Sequence, residues 1–261
     1  SNGWVGAPAM VPDGRYLAFY AWASNLVEGD TNAVQDLFFY DRDEGSISRI
    51  SVAANGGQAN DRSGDSSGSV APALSADGQI IAFDSAASNL TPDDSNGRVD
   101  VFVHDRSTMR TTLISQSANG GAGNGDSSQP ALSVDGRFVL FQSRATNLDP
   151  SVPTLASPGT TQIYLHDRND GSNRLISRGP DGRPGDGAST SPVISGDGRH
   201  LVYASSATNL VAGDSNNVAD IFMHDRTTGE TRRISVSSAG IQANRAAWSP
   251  KITLDGRHIL F

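Results

Sequence analysis

The chain has 261 residues, 36% of them apolar and 18% charged, with a formal net charge of −8 and no cysteine. An acidic chain with no Lys/Arg cluster argues against a nucleic-acid surface. Without cysteine there are neither disulfides nor thiolate metal sites, and no apolar run reaches the ~18 residues a transmembrane helix needs, so no membrane insertion is expected.

The charged residues are unevenly chosen. Glutamate occurs only at Glu28, Glu44 and Glu230, against 25 aspartates, and Lys251 stands alone beside 19 arginines. Asp, Asn, Ser and Gly favour turns, because their short or absent side chains serve the local backbone. The composition therefore predicts many turns and few helices. The opening Ser1-Asn2-Gly3-Trp4 lacks the basic and apolar regions of a signal peptide. No signal peptide is visible, and one removed before maturity would leave such a start.

In chain order, the first repeated feature is an Asp-Gly pair at Asp13-Gly14, Asp77-Gly78, Asp135-Gly136, Asp197-Gly198 and Asp255-Gly256, at intervals of 64, 58, 62 and 58 residues. Each pair lies between two apolar segments, as in Ala71-Pro72-Ala73-Leu74 and Ile80-Ile81-Ala82-Phe83. Asp-Gly between such runs is a strong hairpin signal, since a tight turn needs positive φ. These segments are strands A and B. An Ala-Ser/Thr-Asn-Leu motif follows, starting at Ala23, Ala87, Ala145 and Ala207. Strand C comes next as 36–41, 100–105, 162–167 and 220–225, and strand D follows a short polar turn, as in Thr231 to Ser235.

Four-stranded meanders repeating about an axis describe a β-propeller. Solenoid repeats are usually shorter and often helical. The expected fold is all-β, a propeller of four complete blades (about 7–70, 71–129, 130–191 and 192–249) plus the first hairpin of a fifth (250–261), in one domain or segment. Pro-x-x-Ser-x-Asp-Gly followed by Asp-x-Phe-x-x-Asp resembles the TolB-like, or PD40, group of WD40-like propeller repeats. That resemblance implies architecture more than activity: the group includes periplasmic scaffold proteins, gating domains of prolyl oligopeptidase-like enzymes and some polysaccharide lyases. Family analogues with six or seven blades imply a segment of a larger propeller. Self-association is another way to complete the ring.

Meander topology puts the A–B and C–D turns on one rim and the longer B–C and D–A loops on the other, where binding is expected. Three B–C loops read D-x-N-x-x-x-D: Asp30, Asn32 and Asp36; Asp94, Asn96 and Asp100; Asp214, Asn216 and Asp220. Calcium takes six to eight oxygen ligands, and this spacing resembles the first half of an EF-hand loop without its final glutamate. A possible calcium site in each loop is the metal expectation; turn capping by Asp and Asn is the competing reading. Blade three carries an insertion with Pro153 and Pro158 and should lack an ion. In the D–A loops, Asn124 and Asp126 are candidate ligand-binding residues. Trp4, Trp22 and Trp248 break the repeat and belong on the same face, where an exposed indole stacks on a sugar or anchors a partner; filling a gap between blades is the alternative.

Other signals read as structural. Gly64-Asp65-Ser66-Ser67-Gly68 matches G-x-S-x-G, but in a loop rather than a strand-to-helix elbow. His104, His166 and His224 share a position with Tyr40, which suits a hydrogen bond better than catalysis, and His200 and His258 are expected to be exposed. Asp41, Asp105, Asp167 and Asp225, each followed by Arg, should tie the C–D turn or a neighbouring blade. The function expected is non-enzymatic: a binding or scaffold module, periplasmic or extracellular, taking a protein, peptide or glycan on its acidic loop face. The alternative is the propeller portion of an exported enzyme.

Overall fold

A computed structural model describes residues 2–65, 70–152 and 159–261. Among these there is no helix, hence none long and apolar enough to cross a membrane. Blade one consists of β1 (Ala9–Met10), β2 (Tyr16–Ala21), β3 (Asp36–Asp41) and β4 (Ser46–Arg49). Blade two consists of β5 (Ala73–Leu74), β6 (Ile80–Ser85), β7 (Asp100–Asp105) and β8 (Arg110–Leu113). Blade three holds β9 (Ser127–Leu132), β10 (Phe138–Ser143), β11 (Gln162–Asp167) and β12 (Ser172–Leu175). Blade four holds β13 (Ser189–Ile194), β14 (His200–Ser205), β15 (Asp220–Asp225) and β16 (Glu230–Arg233). A last hairpin pairs β17 (Lys251–Ile252) with β18 (Ile259–Leu260). Each blade is a four-stranded sheet in sequence order, as the β-propeller fold requires.

Strands B and C form the core of every blade. In blade two the register runs from Ile80↔Asp105 to Ser85↔Asp100, and blade four repeats it from His200↔Asp225 to Ser205↔Asp220. Both strands are covered on two faces, so they read as almost continuous apolar runs. Strand D alternates, as an outer strand with one wet face does.

The chain divides into two compact units, residues 1–130 and 131–261, with the division falling inside β9. In the first unit Tyr20, Leu37 and Phe39 of blade one pack with Ile81, Phe83, Phe102 and Leu113 of blade two. In the second, Leu140, Ile163 and Leu165 pack with Leu201, Tyr203 and Phe222, while Val202 and Ile221 pack with Ile252 and Ile259 of the last hairpin.

The turn rim is built for blade stacking. Asp77 Oδ1 accepts the Gln79 backbone N–H (3.0 Å) and the Ser75 hydroxyl (2.5 Å). Gly78 has φ 65°, and a Cβ there would lie 2.4 Å from Tyr16 Cδ2 of blade one. The turn thus needs glycine twice, for its left-handed backbone and for the aromatic ring against it. The Arg after strand C closes the contact. Arg106 lies 3.8 Å from the Phe39 ring centre and donates to the Gly78 carbonyl at 3.1 Å. Arg226 does the same over Phe138 at 4.0 Å, donating to the Gly198 carbonyl.

The preceding Asp has its own partners. Asp225 holds Arg199 at 2.7 Å and accepts the Thr227 backbone N–H, and the Arg199 hydrogen bond keeps its carboxyl well below the usual range. The strand-C histidines each bond across to strand D: His104 to Thr111, His166 to Asn173, His224 to Thr231. His200 departs from expectation. It is half-buried rather than exposed, because the next turn's Gly256 packs on its ring. His258 is exposed.

Candidate functional site

The B–C loops are held by one recurring arrangement. Asp36, at the start of β3, is fully buried, and its two oxygens accept the Ser51 hydroxyl and the Asn32 side-chain amide (3.0 Å). Asp100 accepts Ser115 at 2.5 Å and Asn96 at 2.7 Å; Asp220 accepts Ser235 and, at 2.7 Å, Asn216. The same amide nitrogens also donate to D–A loop carbonyls: Ala59 at 3.2 Å, Gly123 at 2.8 Å and Ala243 at 2.9 Å. That second bond sets the amide orientation. The asparagine oxygens face the backbone N–H groups of Val34, Arg98 and Val218 instead, closing Asx turns. Asn32, Asn96 and Asn216 therefore clamp the B–C loop to the D–A loop, and their oxygens are not turned toward the acids.

The first acid of each loop distinguishes the blades. Asp30 is paired with Arg49 at 3.2 Å, and Arg49 also lies 3.7 Å from Asp36. Asp214 is paired with Arg233 at 3.0 Å, with Asp220 at 3.8 Å from the same nitrogen. Arg49 and Arg233 hold one register position at the end of strand D, opposite Phe38 and Phe222. In these two loops a guanidinium takes the place an ion would need. Gln58 reinforces blade one, accepting from Arg49 (3.0 Å) and from the backbone of Thr31 and Asn32.

Blade three is neutralised differently. Gln162 stands where the other blades have Asp, and Asp149 is bonded to the Leu175 and Ser151 backbone N–H groups. Its insertion, with Pro153 and Pro158, lies outside the described residues. Blade two has neither solution. Leu113 holds the arginine position opposite Phe102, and Ala122 holds that of Gln58. Asp94 is 5% exposed, and neither of its oxygens reaches hydrogen-bond geometry with the protein. Burial raises the Asp94 carboxyl against a weaker pull from the Asn96 backbone N–H, and burial pushes Asp100 up to about 6 despite its Ser115 and Asn96 bonds. Among the described residues no group of three or more His, Asp or Glu side chains is arranged to hold a metal.

The Ala-Ser/Thr-Asn-Leu motif acts within each unit. Asn89 accepts the Asn60 backbone N–H at 3.0 Å and donates to the Gln58 carbonyl at 2.9 Å, tying blade two to the D–A loop of blade one. Asn209 ties Asp186 and Pro184 in the same way. Beside Asn60 lies a polar cavity of about 420 Å³, lined by Asp61, Arg62, Ser88, Arg98 and Asp126 among others. The Nε of Arg62 is buried without a hydrogen-bond partner, and Asp126 accepts the Val99 backbone N–H at 3.4 Å. Asn124 is exposed and does not line the cavity. The tryptophans are half-exposed: Trp4 49%, Trp22 43% and Trp248 54%. Trp22 donates its backbone N–H to the Trp4 carbonyl at 3.0 Å, so these two are neighbours.

The sequence points to Asp126 but to neither Arg62 nor Arg98, whose charges gain meaning only once two loops are brought together. Arg49 and Arg233 at the end of strand D, against Leu113 and Leu175 in blades two and three, are legible in the sequence and mark the two loops whose acids meet a guanidinium. Of the G-x-S-x-G match, Ser66, Ser67 and Gly68 lie outside the described residues.

No known family's sequence profile matches the chain, and no curated protein matches it. Solved structures do. The chain is similar to a putative TolB from Agrobacterium tumefaciens (16% identity, TM-score 0.59, spanning 99% of this chain and 69% of that one). It is similar to TolB from Acinetobacter baumannii (17%, TM-score 0.53, 99% of this chain and 48% of that one). It is also similar to an oligogalacturonate lyase in complex with manganese (16%, TM-score 0.55, 99% and 61%). The chain thus spans about half to two thirds of the length of these proteins. At such identities the likeness shows the fold, which is that of a TolB-like β-propeller.

Proposed function

We propose that this propeller is a non-catalytic binding module, working in the periplasm or outside the cell, which takes a peptide segment of a partner protein on its B–C and D–A loops. The observation that carries this reading is the cavity beside Asn60. Most polar side chains of the loop face are spent on clamping loops and tying blades, whereas Arg62, whose buried Nε has no hydrogen-bond partner, lines a cavity together with Arg98, Asp61 and Asp126. Such a cavity suits a ligand carrying both signs of charge, as a peptide does. The half-exposed Trp4 and Trp22 supply an apolar anchor within the same unit.

A non-catalytic role is supported by the histidines. His104, His166 and His224 are committed to cross-strand hydrogen bonds, and burial lowers the pKa of each. The single lysine, Lys251, lies on the last hairpin.

The test is a screen of charged peptides and acidic oligosaccharides against the chain, followed by titration of the best binder against R62E/R98E. The expected result is a peptide whose affinity falls at least about tenfold, or about 1.4 kcal/mol, in the variant. An oligosaccharide that binds in place of any peptide, or is cleaved, overturns the reading. So does a peptide that binds the variant as well as the wild type.

A further inference from the structure

The acid pairs of the B–C loops form a natural series. Two buried carboxylates at close range cannot both stay ionised without compensation, because each loses hydration and repels the other. Blades one and four compensate with Arg49 and Arg233, each with a nitrogen 3.0–3.2 Å from the first acid and 3.7–3.8 Å from the second. Blade three removes the second acid, with Gln162 at that position. Blade two keeps both acids and has lost the cation. Leu113 replaces the arginine, Ala122 replaces Gln58, and the 5%-exposed Asp94 keeps two oxygens with no hydrogen-bond partner. The Asx turn, the Ser115 bond and the Asn96 clamp are all preserved. The loop is therefore folded as in blade one, but without the positive charge that blade one builds in.

We propose that the B–C loop of blade two binds a divalent cation of calcium's chemistry between Asp94 and Asp100, at the point the arginine takes in blades one and four. Asp94 supplies its two oxygens and Asp100 one more. Water completes the shell, as is usual for a hard cation that takes six to eight oxygens. Two carboxylates balance the ion's charge, which one guanidinium does not do for the acids of blades one and four. With so few protein ligands the site binds weakly, in the ~10⁻⁴–10⁻³ M range of extracellular calcium modules. This narrows the ion expectation to one loop of three, and it stands whatever partner the face takes.

The experiment is thermal unfolding of the 261-residue chain at pH 7 in 10 mM calcium and in chelator, with calorimetric titration for stoichiometry. One calcium per chain and a midpoint raised by about 3–5 °C are expected. The isosteric D94N should lose the shift. L113R should also lose it while unfolding at a higher temperature in chelator, because the guanidinium is restored. The converse, R49L, should bind a second calcium.

Equal midpoints in calcium and chelator, together with stabilisation on acidification from pH 7 to 5, would overturn the proposal and show that the pair is neutralised by a proton. An undiminished calcium shift in D94N would overturn it too, by placing the ion elsewhere. Because D94N keeps the shape of the loop, it decides the matter even if L113R fails to fold.

Discussion

Blades one and two share a backbone, a strand register and a loop motif, yet they differ in how each treats the same pair of buried acids. In blade one Arg49 and Gln58 reach back from strand D and the D–A loop to hold Asp30 and Asp36. In blade two Leu113 turns that position over to the apolar core shared with blade one, and Asp94 is left without a cation. The lesson is that the loop's fold does not depend on the cation. The Ser–Asp–Asn bonds and the Asx turn fix the backbone, so the charge site is free to change from blade to blade.

The sharpest way to break the comparison is to make blade one resemble blade two. R49A leaves Asp30 and Asp36 buried without their cation, and removing one partner of a buried pair costs about 3–5 kcal/mol. Urea unfolding of wild type and variant measures it. A loss under about 1 kcal/mol would show that the two loops are electrostatically alike after all.

A second test moves to the turn rim, where the first two blades share the same Asp-Gly pair. G78A forces an alanine into a left-handed conformation at φ 65° and drives its Cβ onto the Tyr16 ring, for an expected loss of about 2–4 kcal/mol. G14A, at φ 71°, meets only the flexible side chains of Arg42 at 3.3 Å and Met10 at 3.7 Å and should lose about 1–2 kcal/mol. Equal losses would mean that backbone strain alone accounts for both.

The smallest effect concerns His104, which stands where blade one has Tyr40. Burial lowers its pKa, so the folded protein holds it neutral. The unfolded chain takes up the proton below a pKa of about 6.5. The depressed base therefore contributes destabilisation that is absent above pH 7 and grows as pH falls through 6.5. H104Y removes that contribution, reducing the loss of stability on acidification by at most about 1.4 kcal/mol per pH unit. The difference between the pH profiles of the two proteins isolates the imidazole from every other titrating group. Parallel profiles would place the His104 proton uptake outside folding.

Much of the fold is legible in the sequence. The five Asp-Gly turns, the strand-C segments and the four-stranded meander are where periodicity and turn chemistry placed them, because those signals act within a few residues. Strand C begins at Asp36, Asp100, Gln162 and Asp220 as read. The site was legible only in part. D-x-N-x-x-x-D marked the right loops, but the role of the middle asparagine depends on a carbonyl of the D–A loop, and the state of the acids depends on the last residue of strand D. Arg62 and Arg98 became a cavity only when two loops met.

What the amino-acid sequence determined by itself is the repeat: where each strand runs, where φ must be positive, and which loops collect carboxylates. These follow from side-chain sterics and short-range hydrogen bonding, which neighbours along the chain settle among themselves. Only the tertiary structure decided which carboxylates are paired, which polar groups are already spent, and where a charge stands uncompensated. Those outcomes rest on burial and on groups far apart in sequence, since a charge changes its worth when water is replaced by protein.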